Sequence, residues 1–178
     1  MAGEENVPGV AVGWAVRPDT FRIRAATAAD GPVVRTLLDE YVGWLGLDLG
    51  FQGFDAEYRN WPGDYGPPRG ACLVADVGGE TVAMVALRPL DEEVCEMKRL
   101  FVRPSARGLG LGQAMIERVI DEARRLGYRE MRLDTLPVMD QAQGLYAQAG
   151  FRDIAPYYDT PIAGTRFMAL ALDGPRRE

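Results

Sequence analysis

The segment from residue 94 to residue 135 is predicted to form a strand, a glycine-rich turn, an amphipathic helix and a second strand. Val94–Val102 and Met131–Thr135 are the strands. The helix, over Gly110–Leu126, carries an apolar stripe at helical spacing. A helical crossover of this length joins parallel strands. This β-α-β unit sets a parallel pair at the centre of the sheet, and every other element has to pack around it.

The remaining segments predict antiparallel surroundings for that unit. Ala71–Val77 and Thr81–Leu87 are apolar runs separated by Gly78-Gly79, which is a hairpin signature. Further elements are predicted at Phe21–Ala25, about Ala29–Leu45 with Thr27 as its cap, Asp55–Asn60, Gln141–Ala149, Phe151–Ile154 and Arg166–Leu172. We therefore predict an α/β (α+β) fold with a mixed, mostly antiparallel twisted sheet, helices on both faces and a central β-α-β unit.

The chain length of 178 residues favours one domain. We assign it to residues 21–173, with a loosely packed leader at 1–20 and a tail at 174–178. The apolar run of the leader follows acidic residues and is broken by proline and glycine, unlike a signal peptide. No stretch reaches the roughly 18 apolar residues of a membrane span. We therefore expect a cytoplasmic protein that does not bind membranes.

Composition excludes several kinds of chemistry. The chain contains no histidine, which removes Ser-His-Asp and Cys-His catalysis and most zinc sites, so no metal is expected. Cys72 and Cys95 are interpreted as reduced, buried apolar residues. Twenty-six acidic residues against 20 basic ones give a net charge of −6. That charge argues against a nucleic-acid partner, which needs a basic face.

The turn at residues 103–113, Arg-Pro-Ser-Ala-Arg-Gly-Leu-Gly-Leu-Gly-Gln, has the chemistry of an anion site. Gly108, Gly110 and Gly112 expose backbone N–H groups and tolerate unusual dihedral angles. The following helix presents its positive end, and Arg107 can add a direct charge. The spacing fits neither a P-loop nor G-x-G-x-x-G. Taken alone, the turn could equally be a flexible strand–helix connection.

Two motifs together resemble the GNAT N-acetyltransferase superfamily. The pattern R-x-x-G-x-G at residues 107–112, after a strand and opening a helix, looks like the acetyl-CoA signature of that family. The pattern L-Y-x-x-x-G-F at residues 145–151 looks like a second family segment. The resemblance covers roughly residues 21–172. Segments 95–100, 133–135 and 156–158 look like a bacterial subgroup of the family.

The resemblance implies acetyl-CoA as co-substrate, held without a metal. The strand before the turn would splay from its neighbour, and pantetheine would lie in the gap. Many family members carry asparagine where this chain has Met139, so one cofactor contact is missing or is replaced, by Asp140 or a backbone group. The implied cofactor-binding residues are Leu100, Phe101, Val102, Arg107, Gly108, Leu109, Gly110, Leu111, Gly112 and Gln113.

The implied activity is acyl-CoA-dependent N-acyl transfer. An acetyl group would pass from acetyl-CoA to a primary amine of a small molecule, peptide or protein, by direct attack in a ternary complex. The alternative is a non-catalytic acyl-CoA-binding sensor or regulatory module. A methyltransferase or NAD enzyme would instead need a parallel sheet with the glycine turn after its first strand. A homodimer is one possible assembly.

Glu96 is the candidate general base. It precedes the turn at an offset where some family members carry a catalytic glutamate. Strand alternation would place Glu96 on one face with Lys98, Leu100 and Val102, barring a bulge. A buried glutamate has a raised pKa and can accept the proton of an ammonium group. The alternative is a structural ion pair with Lys98 or Arg99.

Tyr146 is the candidate general acid. It resembles the family tyrosine whose hydroxyl lies near the sulfur of CoA, where it would protonate or hydrogen-bond the departing thiolate. The alternative is a core tyrosine that only packs. A backbone N–H near Leu100 or Val102 could polarise the thioester carbonyl.

The acceptor amine is expected between the first-helix region and the last two strands. Aromatic rings beside carboxylates suit a cationic or partly apolar amine, although clustered rings can equally be packing. The candidates are Trp44, Phe51, Tyr157 and Tyr158, with Phe54, Tyr65 and Asp159 beside them. Asp134, Arg88 and Arg152 are either structural or substrate-facing.

Overall fold

The computed structural model describes residues 21–172, so the predicted leader and tail lie outside the described part of the chain. Its strands are β1 Arg22–Ala25, β2 Ala71–Val77, β3 Glu80–Pro89, β4 Val94–Val102, β5 Glu130–Thr135, β6 Arg152–Ile154 and β7 Arg166–Ala171. Its α-helices are α1 Gly31–Leu45, α2 Phe54–Asn60, α3 Leu111–Arg125 and α4 Asp140–Ala149. No helix within residues 21–172 is long and apolar enough to cross a lipid bilayer.

The seven strands form one sheet in the order β1-β2-β3-β4-β5-β7-β6. All neighbours pair antiparallel except β4 and β5, which are parallel. That parallel pairing covers only Val94–Glu96 against Glu130–Arg132, and the two strands separate beyond it. The prediction of a mixed, mostly antiparallel sheet with a central β-α-β unit is confirmed.

Helices cover both faces of the sheet, as predicted. Alternate residues of β2 point to opposite sides, so Leu73 joins the core under α3 and α4, whereas Val74 joins the core under α1. The two cysteines follow the same rule. Cys72 is buried on the α1 side and Cys95 on the α3 side, and both thiols are free, as predicted for small core residues.

β4 contains a bulge at Arg99. The φ angle of Arg99 is 61°, the one positive value at a non-glycine position in residues 21–172. In the pairing with β3, Ala86 lies opposite Lys98, whereas Met84 lies opposite Phe101. One residue of β3 therefore faces two residues of β4, which is the definition of a bulge.

The bulge overturns the predicted face of β4. Simple alternation grouped Glu96, Lys98, Leu100 and Val102 on one side of the sheet. Leu100 and Val102 instead pack on the α3 side, and Phe101 packs on the α1 side. The prediction was wrong for the second half of the strand because one inserted residue exchanges the two faces for everything beyond it.

The start of α1 is fixed by a carboxylate. A 3-10 turn, Ala28–Asp30, precedes the helix and begins at Thr27, the predicted cap. The Asp30 carboxylate accepts hydrogen bonds from the Thr27 backbone N–H at 2.7 Å and from Arg24 at 2.8 Å. Arg24 also contacts Asp76 of β2 at 2.8 Å. This cluster attaches the beginning of the helix to the first two strands.

Asp30→Asn should lower the free energy of unfolding by about 1–2 kcal/mol at pH 7, because a charge-assisted hydrogen bond is lost. Hydrogen bonding to Arg24 lowers the folded-state pKa of Asp30. Its stabilising contribution is therefore complete above the unfolded carboxyl pKa of about 4 and disappears as the pH falls further. Urea denaturation of both proteins at pH 7 and at pH 3 measures this. An equal difference at the two pH values would contradict the account.

Candidate active site

A cavity of about 530 Å³ lies along β4 where that strand separates from β5. Its wall is built by the glycine turn, the second half of β4, the end of α1, the end of β5 and the start of α4. One end is the glycine turn. We call the other end, formed by polar side chains, the charged end, and its residues are Gln52, Lys98, Arg99 and Asp134.

The three glycines of the turn have different tasks. Gly108 and Gly110 have φ angles of 81° and 75°, in the left-handed region that other residues rarely adopt. Gly112 lies within the first turn of α3. A Cβ atom there would lie 3.3 Å from Cδ1 of Leu145 in α4. The first two glycines thus shape the turn, and the third lets α3 approach α4 closely.

The turn presents backbone donors to the cavity. The first backbone bond of α3 runs from Ala114 N–H to Gly110 O at 3.1 Å, and no side chain caps the helix. Within residues 21–172, the N–H groups of residues 108–113 donate to no protein acceptor. Leu109 is the one predicted cofactor-binding residue that does not line the cavity. A row of unpaired donors at a helix N-terminus is the arrangement that binds a phosphate or diphosphate.

Arg107 is held at the same end of the cavity. Its Nε donates to the Val102 carbonyl at 3.2 Å, and its guanidinium lies 5.4 Å from the centre of the Trp44 ring. Trp44 was predicted to contact the acceptor. The structure places it beside Arg107 at the glycine-turn end of the cavity, with 46% of its surface exposed.

The middle of the cavity lies between Leu100–Val102 and α4. Tyr146 is buried there, and its ring packs edge-on against Phe151 at 5.9 Å. Burial raises the pKa of Tyr146, so its phenol is protonated at neutral pH. Met139, at the position compared above with an asparagine, lines the cavity, and so does its neighbour Asp140.

The charged end brings together residues from distant parts of the chain. Lys98 Nζ lies 3.2 Å from Asp134 Oδ1 and 3.3 Å from Gln52 Oε1. Arg99 Nη1 donates to the same Gln52 oxygen at 2.8 Å, while its Nε and Nη2 donate to Glu57. Burial lowers the pKa of Lys98, and Asp134 opposes that shift. At the bulge, the side chains of the consecutive residues Lys98 and Arg99 lie on the same side and share Gln52 Oε1.

Glu96 is buried, with 1% of its surface exposed, but it does not line the cavity. Its Oε1 accepts a hydrogen bond from Arg88 Nε at 2.9 Å, and its Oε2 accepts one from the Tyr157 hydroxyl at 2.5 Å. Glu96 therefore forms a structural ion pair, as the alternative predicted, but its partner is Arg88 and not Lys98 or Arg99. Arg88 lies opposite Glu96 on β3 and is the nearer partner.

The other acceptor candidates lie behind the cavity wall. The Tyr158 hydroxyl donates to Asp134 Oδ2 at 2.9 Å. Tyr157 and Tyr158 each pack edge-on against Phe167 at 5.1 Å. Both tyrosines therefore hold carboxylates in place and do not themselves line the cavity. Phe51 is exposed and also lies outside the cavity wall.

Three residues of the charged end, Gln52, Lys98 and Arg99, escaped the sequence-based prediction as site residues. Lys98 and Arg99 were considered only as partners of Glu96, although adjacent charges in a central strand are themselves a signal, because such strands are usually apolar on both faces. Gln52 lies in a 3-10 turn, Gly50–Gln52, and nothing in its local sequence marks it.

Comparison with known proteins agrees with this geometry. A sequence model of the acetyltransferase (GNAT) family matches residues 34–151. An N-acetyltransferase of Schizosaccharomyces pombe is 42% identical over 140 residues, which is 78% of this chain and 86% of that protein. The N-acetyltransferase YjgM of Escherichia coli is 26% identical over 144 residues, which is 78% of this chain and 86% of that protein.

Solved structures show the same fold. The acetyltransferase YncA of Salmonella typhimurium, determined with its cofactor acetyl-CoA, has a TM-score of 0.66 at 22% identity, over 87% of this chain and 95% of that one. An acetyltransferase of Streptococcus agalactiae has a TM-score of 0.67 at 20% identity, over 86% of this chain and 99% of that one.

The chain belongs to the acetyltransferase (GNAT) family, as its sequence motifs predicted, and it is an N-acetyltransferase. Its relatives include a fungal protein as well as bacterial ones, so the resemblance is not confined to bacteria. The methyltransferase and NAD-enzyme alternatives are excluded, because the sheet is mostly antiparallel and the glycine turn follows the fourth strand. The N-acetyltransferase relatives decide against the non-catalytic alternative.

Gly110→Ala should weaken the binding of coenzyme A by about tenfold, because a side chain at this φ angle costs roughly 1–2 kcal/mol and would shift the amides of the turn. Isothermal titration calorimetry with coenzyme A measures the effect. Gly144→Ala is the matched control, since a Cβ at that exposed helical position meets no atom within 4 Å. Equal dissociation constants for Gly110→Ala and the unchanged protein would contradict the role given to the turn.

Proposed function

We propose that this protein transfers an acetyl group from acetyl-CoA to the primary amine of a small molecule, peptide or protein, by direct attack within a ternary complex. The observation that carries the proposal is one continuous cavity with unpaired backbone donors at one end and charged side chains at the other. The acetyl-CoA in the Salmonella structure supports the identity of the donor.

Direct attack suits the side chains that the protein has. A covalent acyl-enzyme would need an activated nucleophile. Neither cysteine lines the cavity, and burial raises the pKa of both Cys72 and Cys95 to about 12. A thiol with so high a pKa is protonated at neutral pH and is a poor nucleophile. The amine itself therefore attacks the thioester.

Donor binding is assigned to the glycine turn and to β4. The N–H groups of residues 108–113 would bind the diphosphate, with Arg107 adding a positive charge. Backbone groups at Leu100–Val102 would bind the pantetheine arm on the side where β5 no longer pairs with β4. A backbone N–H of the same segment would stabilise the negative charge that develops on the thioester oxygen.

Tyr146 is assigned the role of general acid. It lines the middle of the cavity, between the diphosphate end and the charged end. Its raised pKa keeps the phenol protonated and able to donate. Donation to the departing thiolate releases CoA with its sulfur protonated.

Removal of the ammonium proton is assigned to Glu96, acting through Tyr157. Neither residue lines the cavity, so a water molecule would carry the ammonium proton to the Tyr157 hydroxyl, which passes its own proton to Glu96 across their 2.5 Å hydrogen bond. Burial and the neighbouring Glu96 raise the pKa of Tyr157, so the hydroxyl is neutral between these transfers. Asp134 is the competing carboxylate, since it lines the cavity directly.

The cytoplasmic location, the absence of a membrane or nucleic-acid partner and a homodimer stay predictions from the sequence.

Tyr146→Phe should reduce the turnover number by about tenfold or more, because the general acid is removed, while the affinity for coenzyme A is preserved. Release of the CoA thiol from acetyl-CoA, screened over a panel of amines, gives the rate, and calorimetry gives the affinity. Tyr128→Phe is a matched control, because that buried tyrosine hydrogen-bonds the Arg69 carbonyl away from the cavity. Unchanged turnover in Tyr146→Phe would remove this residue from the mechanism.

Glu96→Gln and Tyr157→Phe should each lower the turnover number by about tenfold or more, since both interrupt the same proton path. Their combined effect should be no larger than that of Glu96→Gln alone, because residues that act as a unit are not additive. The rates are measured between pH 6 and 9 with the best amine of the panel. Loss of turnover in Asp134→Asn with little change in Glu96→Gln would transfer the role of base to Asp134.

A further inference from the structure

Two buried cations converge on one neutral oxygen at the charged end of the cavity. Lys98 Nζ and Arg99 Nη1 both contact Gln52 Oε1, at 3.3 Å and 2.8 Å. Side chains of Lys98 and Arg99 are 5% and 3% exposed, and both line the cavity. Two desolvated positive charges directed at the same point form a site for negatively charged oxygen. The neutral amide oxygen of Gln52 accepts hydrogen bonds from both groups but supplies no negative charge to balance them.

The backbone is strained to place Arg99 there. A regular strand would direct Lys98 and Arg99 to opposite faces of the sheet. At the bulge, where Arg99 has a φ angle of 61°, both side chains instead lie on the same side and contact Gln52. A conformation of this kind is unfavourable for a residue other than glycine, and it persists only where the surrounding contacts fix it.

Donor capacity remains on both cations. Lys98 has three N–H bonds and uses two of them, for Asp134 and Gln52. Arg99 has five N–H bonds; Nε and one from Nη2 are directed at Glu57, and one from Nη1 at Gln52. Each cation can therefore donate at least once more, and two such donors match the two oxygens of a carboxylate.

We propose that the acceptor of this N-acetyltransferase is an amine that also bears a carboxylate, as amino acids do, and that Lys98 and Arg99 bind this carboxylate. The proposal rests on the acetyl transfer proposed above. Lys98 and Arg99 are specificity-determining residues in this account, because they contact the acceptor but take no part in the chemical step.

The charge of the site favours a single carboxylate over a phosphate dianion. Lys98 and Arg99 are already balanced by Asp134 and Glu57. A dianion would bring two further negative charges into a buried site, at a large desolvation cost. The carboxylate and ammonium groups of an amino acid together add no net charge.

The test compares amino acids with their own carboxamides as acceptors. Each pair, such as glycine with glycinamide or L-phenylalanine with L-phenylalaninamide, has the same amine and side chain and differs only in the carboxylate. Thiol release from acetyl-CoA gives kcat/KM for both members of a pair. For the pair that is turned over fastest, we expect the acid to exceed the amide by about 10-fold to 100-fold, the value of one or two hydrogen bonds to a charged group.

Two variants test whether Lys98 and Arg99 cause the preference for the acid over the amide. Arg99→Gln combined with Glu57→Gln removes the cation without leaving a buried unpaired carboxylate, and it should reduce the acid-to-amide ratio by about tenfold or more. Lys98→Gln should reduce the ratio in the same direction. Arg125→Gln, at an exposed arginine of α3 paired with Glu122, changes the net charge by the same amount as Lys98→Gln and should leave the ratio unchanged.

The outcomes separate the two proposals. Amides that react as fast as their acids in the unchanged protein would overturn carboxylate recognition and leave acetyl transfer standing. This measurement needs no variant to fold. An acid-to-amide ratio that persists in folded, CoA-binding Arg99→Gln/Glu57→Gln and Lys98→Gln would also overturn it. If no amine of either kind releases CoA although acetyl-CoA binds, acetyl transfer itself fails, and the carboxylate proposal fails with it.

Discussion

The separation of β4 from β5 is the feature on which the rest of the structure depends. Parallel pairing stops after Glu96 and Arg132, so the second half of β4 has a sheet partner on one side only. Backbone donors and acceptors inside a protein need partners. In the proposed reaction the pantetheine arm supplies them, which explains why the cavity follows this strand. The glycine turn comes directly after the open stretch, so the diphosphate and the pantetheine arm can be bound by one continuous segment of chain.

The bulge at Arg99 gives the same strand a second use. Up to Lys98, β4 alternates normally between the two cores. Beyond it, Phe101 faces α1 while Leu100 faces α3. The strand can therefore place two basic side chains at the charged end of the cavity, while its later residues Leu100 and Val102 still pack on the α3 side. Without the inserted residue, a charged side chain would enter the core under α3, where burial without a partner is costly.

The sequence allowed prediction of the parts of the molecule that are encoded locally. The limits of β4 and the hairpin at Gly78-Gly79 follow from short apolar runs and turn residues. The glycine turn could be predicted because each of its glycines is required locally, either by a positive φ angle or by close packing. The charged end is different. Gln52 and Asp134 are 82 positions apart and meet only through the tertiary fold. The bulge is equally hidden, because the residue that adopts the unusual φ angle is an arginine and not a glycine.

The carboxylates of Glu96 and Asp134 are linked through one short loop. Tyr157 and Tyr158 are adjacent between β6 and β7, and their hydroxyls donate to Glu96 and Asp134 respectively. Both rings pack on Phe167, so neither tyrosine can move without disturbing the other. In the proposed mechanism, the same loop therefore holds both the proton path and the charged end of the cavity. A change in this loop should alter both at once, and its effect should not be the sum of changes made at each carboxylate, because the side chains belong to one packed unit.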